Sequence, residues 1–97
     1  MKDARDIAAR HRDRILQLAR DHGFEHVLIA GPVAQGLWSS ALTLIVTPAA
    51  DNTDAWDAAA ELREAIEALT GIPVDLVWSG SFAARRLASS ARPLEEF

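Results

Sequence analysis

Two glycines bracket Gly31-Pro32-Val33-Ala34-Gln35-Gly36, a spacing at which a loop between two apolar runs can bring backbone N–H groups to a phosphate. The residues that would make such a loop work are missing. It has neither the lysine nor the following Ser/Thr of a nucleotide-hydrolase loop, and its glycine spacing departs from the dinucleotide fingerprint. Pro32 offers no N–H and no hydroxyl, although its fixed φ suits the first position of a helical turn. His11, His22 and His26 fall on helix, turn and strand without a metal-ligand spacing, and they read as surface or boundary residues. Ser39, Ser40, Ser79, Ser81, Ser89 and Ser90 read as loop and cap residues, with no Ser, His and acid signature among them. Asp51, Asp54 and Asp57 follow the second apolar run, where capping and solvation of a helix start account for them. The chain contains no cysteine, which removes thiol catalysis, thiolate-bound metals and disulfides.

The elements that must position these residues follow from periodicity. From Lys2 to His22, Ala4, Ile7, Ala8, His11, Ile15, Leu18 and Ala19 recur at helical spacing, and Gly23 ends that helix. Between Val27 and Val46 two short branched apolar runs read as buried strands around a turn of about one helical turn. The connection from Gly31 to Ser40 holds ten residues, too few for a parallel crossover, so the two strands are expected to be antiparallel neighbours. Asp51 to Thr70 reads as a second helix, with Asn52 or Thr53 as N-cap. Trp56, Ala59, Leu62, Ile66 and Leu69 form its expected buried stripe, and Gly71 and Pro73 its stop. That helix is a sufficient crossover to a third strand, Val74 to Trp78, which makes the sheet mixed. Ser79-Gly80-Ser81 then caps a helix from Phe82 to about Ser90, Arg92-Pro93 breaks it, and Leu94 to Phe97 trails off. The fold class is α/β: one domain over residues 1–97, with helices packed on a small mixed sheet of about three strands.

Composition narrows the function. Ten Lys and Arg against 14 Asp and Glu leave a net charge of −4, which disfavours direct nucleic-acid binding. Arg5, Arg10, Arg12, Arg14 and Arg20 alternate with Asp3, Asp6, Asp13 and Asp21 as on a solvated helix face, and Arg85 and Arg86 read the same way. No apolar run approaches the ~20 residues of a membrane span, and Met1 to Arg20 is too charged for a signal peptide. A cytoplasmic protein with no membrane partner is the expectation.

Taken together, the order of these segments resembles the minimal nucleotidyltransferases of the DNA polymerase β-like superfamily, especially the small domains that serve as antitoxins beside a toxin. That family carries Gly-Ser-x-Ala-Arg-Gly after its first strand, Ser-Asp-x-Asp opening the second, and a further Asp on the third. The same frame here reads Gly31-Pro32-Val33-Ala34-Gln35-Gly36, then Ser40-Ala41-Leu42-Thr43-Leu44-Ile45-Val46, then Val74-Asp75-Leu76-Val77. The loop from Gly36 to Ser40 is shorter than the family pattern.

The resemblance implies a fold of order α-β-(α)-β-α-β-α and a chemistry that has been lost. Nucleotidyl transfer uses divalent cations held by carboxylates, and two Asp residues spaced two apart on a strand deliver them to one face. Those positions are Ala41 and Thr43. Gln35 stands where the family has an arginine, and Pro32 where it has the serine. Asp75 is the one acidic residue that remains at a matching position. The turn residues Gly31, Pro32, Gln35 and Gly36 are thus vestigial as a nucleotide cradle. The expected function is that of a non-catalytic antitoxin that holds a cognate toxin by direct contact and needs no cofactor. The alternative is an active enzyme that uses ATP and Mg to transfer AMP to that partner. Trp38, Trp78 and Phe97 are the candidate contact residues, and association with a second copy is also open.

Overall fold

The computed structural model describes residues 3–97, so Lys2, where the first helix was expected to start, lies outside the described residues. Helix α1 spans Ala4–Asp21, and the carboxylate of its N-cap Asp3 accepts the backbone N–H of Arg5 at 3.1 Å. Its stripe of Ala4, Ile7, Ala8, Ile15 and Ala19 is buried. Gly23, at φ 83°, turns the chain directly into strand β1, Phe24–Ala30. Strand β2 is Leu42–Pro48, helix α2 Ala55–Thr70, strand β3 Val74–Trp78, helix α3 Phe82–Leu87 and strand β4 Arg92–Pro93, followed by a 3₁₀ turn over Leu94–Glu96.

The strands lie in the order β3-β2-β1-β4. β1 and β2 are antiparallel, as the short connection requires, and β2 and β3 are parallel across the α2 crossover. Side chains alternate between two faces. Val27, Ile29, Leu42, Leu44, Val46 and Val74 face α1 and α2 and form the main core with Ile15, Leu62 and Ile66. Ala30 and Ile45 point the other way, where the short helix α3 covers them through Ala84.

Five expectations need correction. The sheet has four strands and not about three, because Arg92–Pro93 pairs with Ile29 and Leu28 of β1 and does not merely break a helix. Leu94, expected in a trailing end, is fully buried against α1 and β1. Helix α2 starts at Ala55 and not near Asp51. Asn52 is not its cap, since its side-chain amide donates to the carbonyls of His22 at 3.2 Å and Gly23 at 3.0 Å. Trp56, placed on the buried stripe by its spacing, is 78% exposed in the first turn of α2, where it lies edge-on to the ring of Trp78. Helix α3 also ends at Leu87, before Ser90.

Candidate functional site

The turn after β1 forms because Pro32 starts a helical turn that Gly36 ends. Gln35 N–H reaches Pro32 O at 3.1 Å, Gly36 N–H reaches Val33 O at 3.1 Å, and Leu37 N–H reaches Pro32 O at 2.9 Å. Gly31 and Gly36 have φ of 73° and 78°, a conformation that costs other residues strain. Val33 and Ala34 are buried, so the turn is anchored by its own side chains. The loop that follows is tied to α1 by Ala4 N–H donating to Ser39 O at 2.8 Å. Ser39 Oγ donates to Ala41 O at 2.9 Å and accepts from Ala41 N–H at 3.2 Å, which fixes the entry into β2.

Register then decides what meets what. Thr43 pairs with Ala30 of β1 on one side and with Asp75 of β3 on the other, so Ala30, Thr43 and Asp75 form one row across the sheet. All three lie on the α3 face, because Ile45 and Val77 of the same parity do. Ala41 lies just before β2, held there by its two hydrogen bonds with Ser39. A Cβ built on Gly31 would lie 3.6 Å from Thr43 Oγ1, so the first glycine of the turn sits over this row. Gly31, Thr43 and Asp75 are therefore brought together by the fold, with Ala41 one residue before β2.

The remaining candidates diverge. Gln35 and Gly36 face a separate cleft with Arg5, Arg92 and Phe97. Trp38 is 54% exposed in the loop before β2, with Leu37 57% exposed beside it. Trp78, at the far end of β3, is half-buried between Phe24, whose ring centroid is 5.9 Å away, and Trp56 at 5.2 Å. Phe97 is half-buried against the core. Sequence reasoning took Arg5 as a solvated residue and Arg92 as part of a helix break, put Trp56 on a buried stripe, and gave the exposed Phe82 no role. No periodic pattern brings Arg5 and Arg92 together; they share a cleft only through tertiary contacts.

The row offers one exposed carboxylate, one half-buried hydroxyl and a methyl group. A hard divalent cation takes six or more oxygens, carboxylates foremost, and a two-metal site needs several acidic ligands. Among the described residues no three His, Asp or Glu side chains gather at one point. This donor set does not fit a metal-dependent transfer centre, and no reaction step is derived through one.

No protein-family model matches the sequence, and the search of curated proteins returns no match. Solved structures do match. The chain is 30% identical to one described as a minimal nucleotidyltransferase, with a TM-score of 0.76 over 96% of this chain and 97% of that one. It is 26% identical to a solved toxin–antitoxin with AMP-PNP, with a TM-score of 0.68 over 84% of this chain and 70% of that one. A structure of tri-AMPylated Shewanella oneidensis HEPN toxin in complex with MNT antitoxin matches at 23% identity and a TM-score of 0.67, over 90% and 71% of the two chains, and speaks to the fold alone. Helix, strand, glycine turn, antiparallel strand, crossover helix and parallel strand all stand where such a domain has them, and with that first likeness extending over nearly the whole of both molecules, the chain belongs to the minimal nucleotidyltransferase family.

Proposed function

We propose that this protein is an antitoxin of a toxin–antitoxin pair, that it has lost nucleotidyl transfer, and that it neutralises its toxin by stoichiometric binding. The observation that carries the reading is the pairing of Thr43 with the exposed Asp75: with Ala41 just before β2, two of the three positions that match the family's carboxylates cannot supply one, which supports the loss of transfer. The toxin–antitoxin origin of structural relatives at 25–26% identity supports a cognate toxin as partner. A chain of net charge −4 suits a basic toxin through electrostatic steering.

The contact surface in this reading is centred on Leu37 and Trp38, which the loop presents to solvent beside the Gly31 turn. Exposed aromatic residues of this kind are frequent interface anchors. Trp78 and Phe97 are already engaged by the core and contribute at its margin.

A second reading rests on the retained, exposed Asp75: an enzyme that holds ATP and Mg in an altered way and transfers AMP to its toxin, as the tri-AMPylated toxin beside an MNT antitoxin illustrates for that pair. One experiment separates the two. The protein is incubated with the toxin encoded beside its gene, labelled ATP and Mg. Co-purification with the toxin and toxin inhibition without label transfer support the binding reading. Mg-dependent label on the toxin that disappears in Asp75→Asn establishes the enzyme instead.

A further inference from the structure

Arg5 of α1 and Arg92 of β4 line one cleft of about 220 Å³ with Gln35, Gly36 and Phe97, and no lining residue carries an acidic side chain. Both arginines leave well-anchored backbone. Arg5 N–H is held by Asp3, next to the buried Ala4, and Arg92 is paired with Ile29 and followed two residues later by the buried Leu94. The turn comes close to one guanidinium: a Cβ built on Gly36 would lie 4.0 Å from Arg5 Nη1, in ordinary contact.

Neither arginine is in a salt bridge among the described residues, whose ion pairs are Arg12–Asp13 and Arg63–Glu67. In a chain with 14 acidic residues, two exposed guanidinium groups thus face one cleft whose lining has no acidic side chain. Guanidinium forks present paired N–H donors whose geometry matches phosphate and carboxylate oxygens, and the Gln35 carboxamide adds further donors. The volume lies below the ~300 Å³ at which pockets for drug-sized ligands begin, so a small ion or a single phosphate group suits it.

The cleft is distinct from the row of Thr43 and Asp75. Arg92 stands opposite Ile29, which faces α1, whereas Thr43 and Asp75 lie on the α3 face. We propose that this cleft binds a phosphate-type oxyanion, taken up either as the free ion or as the phosphate of a small phosphomonoester.

The test is a titration of the ¹⁵N-labelled protein with inorganic phosphate, and in a second arm with AMP, at constant ionic strength. Saturable amide shifts are expected at Arg5, Gly36 and Arg92, with a dissociation constant on the order of 1 mM, while Gly80 and Asp75 stay unmoved. The variant Arg5→Gln/Arg92→Gln is expected to bind about tenfold more weakly, from loss of the charged donors. The variant Arg5→Lys/Arg92→Lys, which keeps the charge and loses the forks, should fall between. Equal affinity for both probes assigns the free ion, and tighter AMP binding at the same amides assigns the phosphomonoester. Non-saturating shifts, shifts centred on Asp75, or unchanged affinity in the glutamine variant would overturn the proposal. If that variant fails to fold, the wild-type shift map and the lysine variant decide it.

Discussion

Thr43 and Asp75 stand directly opposite each other in the parallel pair of β2 and β3, beneath the first glycine of the turn. Their shared face makes a gain-of-site experiment possible. In Ala41→Asp/Thr43→Asp, two new carboxylates would stand at the start of β2 beside Asp75, and repulsion should lower stability by about 1–2 kcal/mol without metal. Millimolar Mg²⁺ should restore the loss, seen as a rise in melting temperature that the parent chain does not show. A double variant whose melting ignores Mg²⁺ would mean that the row is not a dormant metal site.

Asn52 and Gly23 form a second coupled pair. A Cβ on Gly23 would lie 2.7 Å from Asn52 Nδ2, the atom that bonds the His22 and Gly23 carbonyls. Gly23→Ala therefore meets left-handed strain of about 1–2 kcal/mol and also displaces that amide. Asn52→Ala alone should cost about 1 kcal/mol per hydrogen bond lost. The two losses are expected to be less than additive in urea unfolding of the double variant, because the same bonds are broken twice.

Trp56 sits edge-on to Trp78 while most of its surface is in water. Trp56→Ala should cost little more than the pair term, about 0.5–1.5 kcal/mol, and should change the fluorescence of Trp78. A loss of several kcal/mol would show that Trp56 is part of the core after all.

Two leucines separate stability from recognition. Leu44 is fully buried in the central strand β2, and Leu44→Ala should destabilise by about 2–5 kcal/mol. Leu37 is largely exposed, so Leu37→Ala should leave unfolding within about 0.5 kcal/mol of the parent. If Leu37 and Trp38 anchor the toxin, Leu37→Ala/Trp38→Ala should weaken the complex at least tenfold in calorimetry. An unchanged affinity would move the interface elsewhere.

The parts of the fold legible from residue order were those with a local cause. The apolar stripe of α1, the strand β3, the ends at Gly23 and Gly71, and the antiparallel step from β1 to β2 followed from spacing and loop length. What was misjudged depends on distant partners. Asn52 had the chemistry of a cap, but carbonyls some thirty residues earlier in the chain took its amide. Trp56 had the period of a core residue, yet in the first turn of α2 it meets only the edge of the Trp78 ring and stays mostly in water. Arg92–Pro93 had the look of a helix stop, and only its pairing with β1 makes it a strand. At the candidate site, the row of Thr43 and Asp75 was foreseeable through the family resemblance, whereas the cleft of Arg5 and Arg92 joins residues from opposite ends of the sequence.

The outer neighbour of β1 is supplied by β4, near the C-terminal end of the sequence. During synthesis α1 and the pair β1 and β2 emerge before Leu94, the buried residue whose turn packs on α1 and β1. Until then one flank of β1 and the greasy side of α1 stay open to other chains. Any prompt grip by a companion molecule on the nascent polypeptide would have to tolerate that unfinished border or cover it.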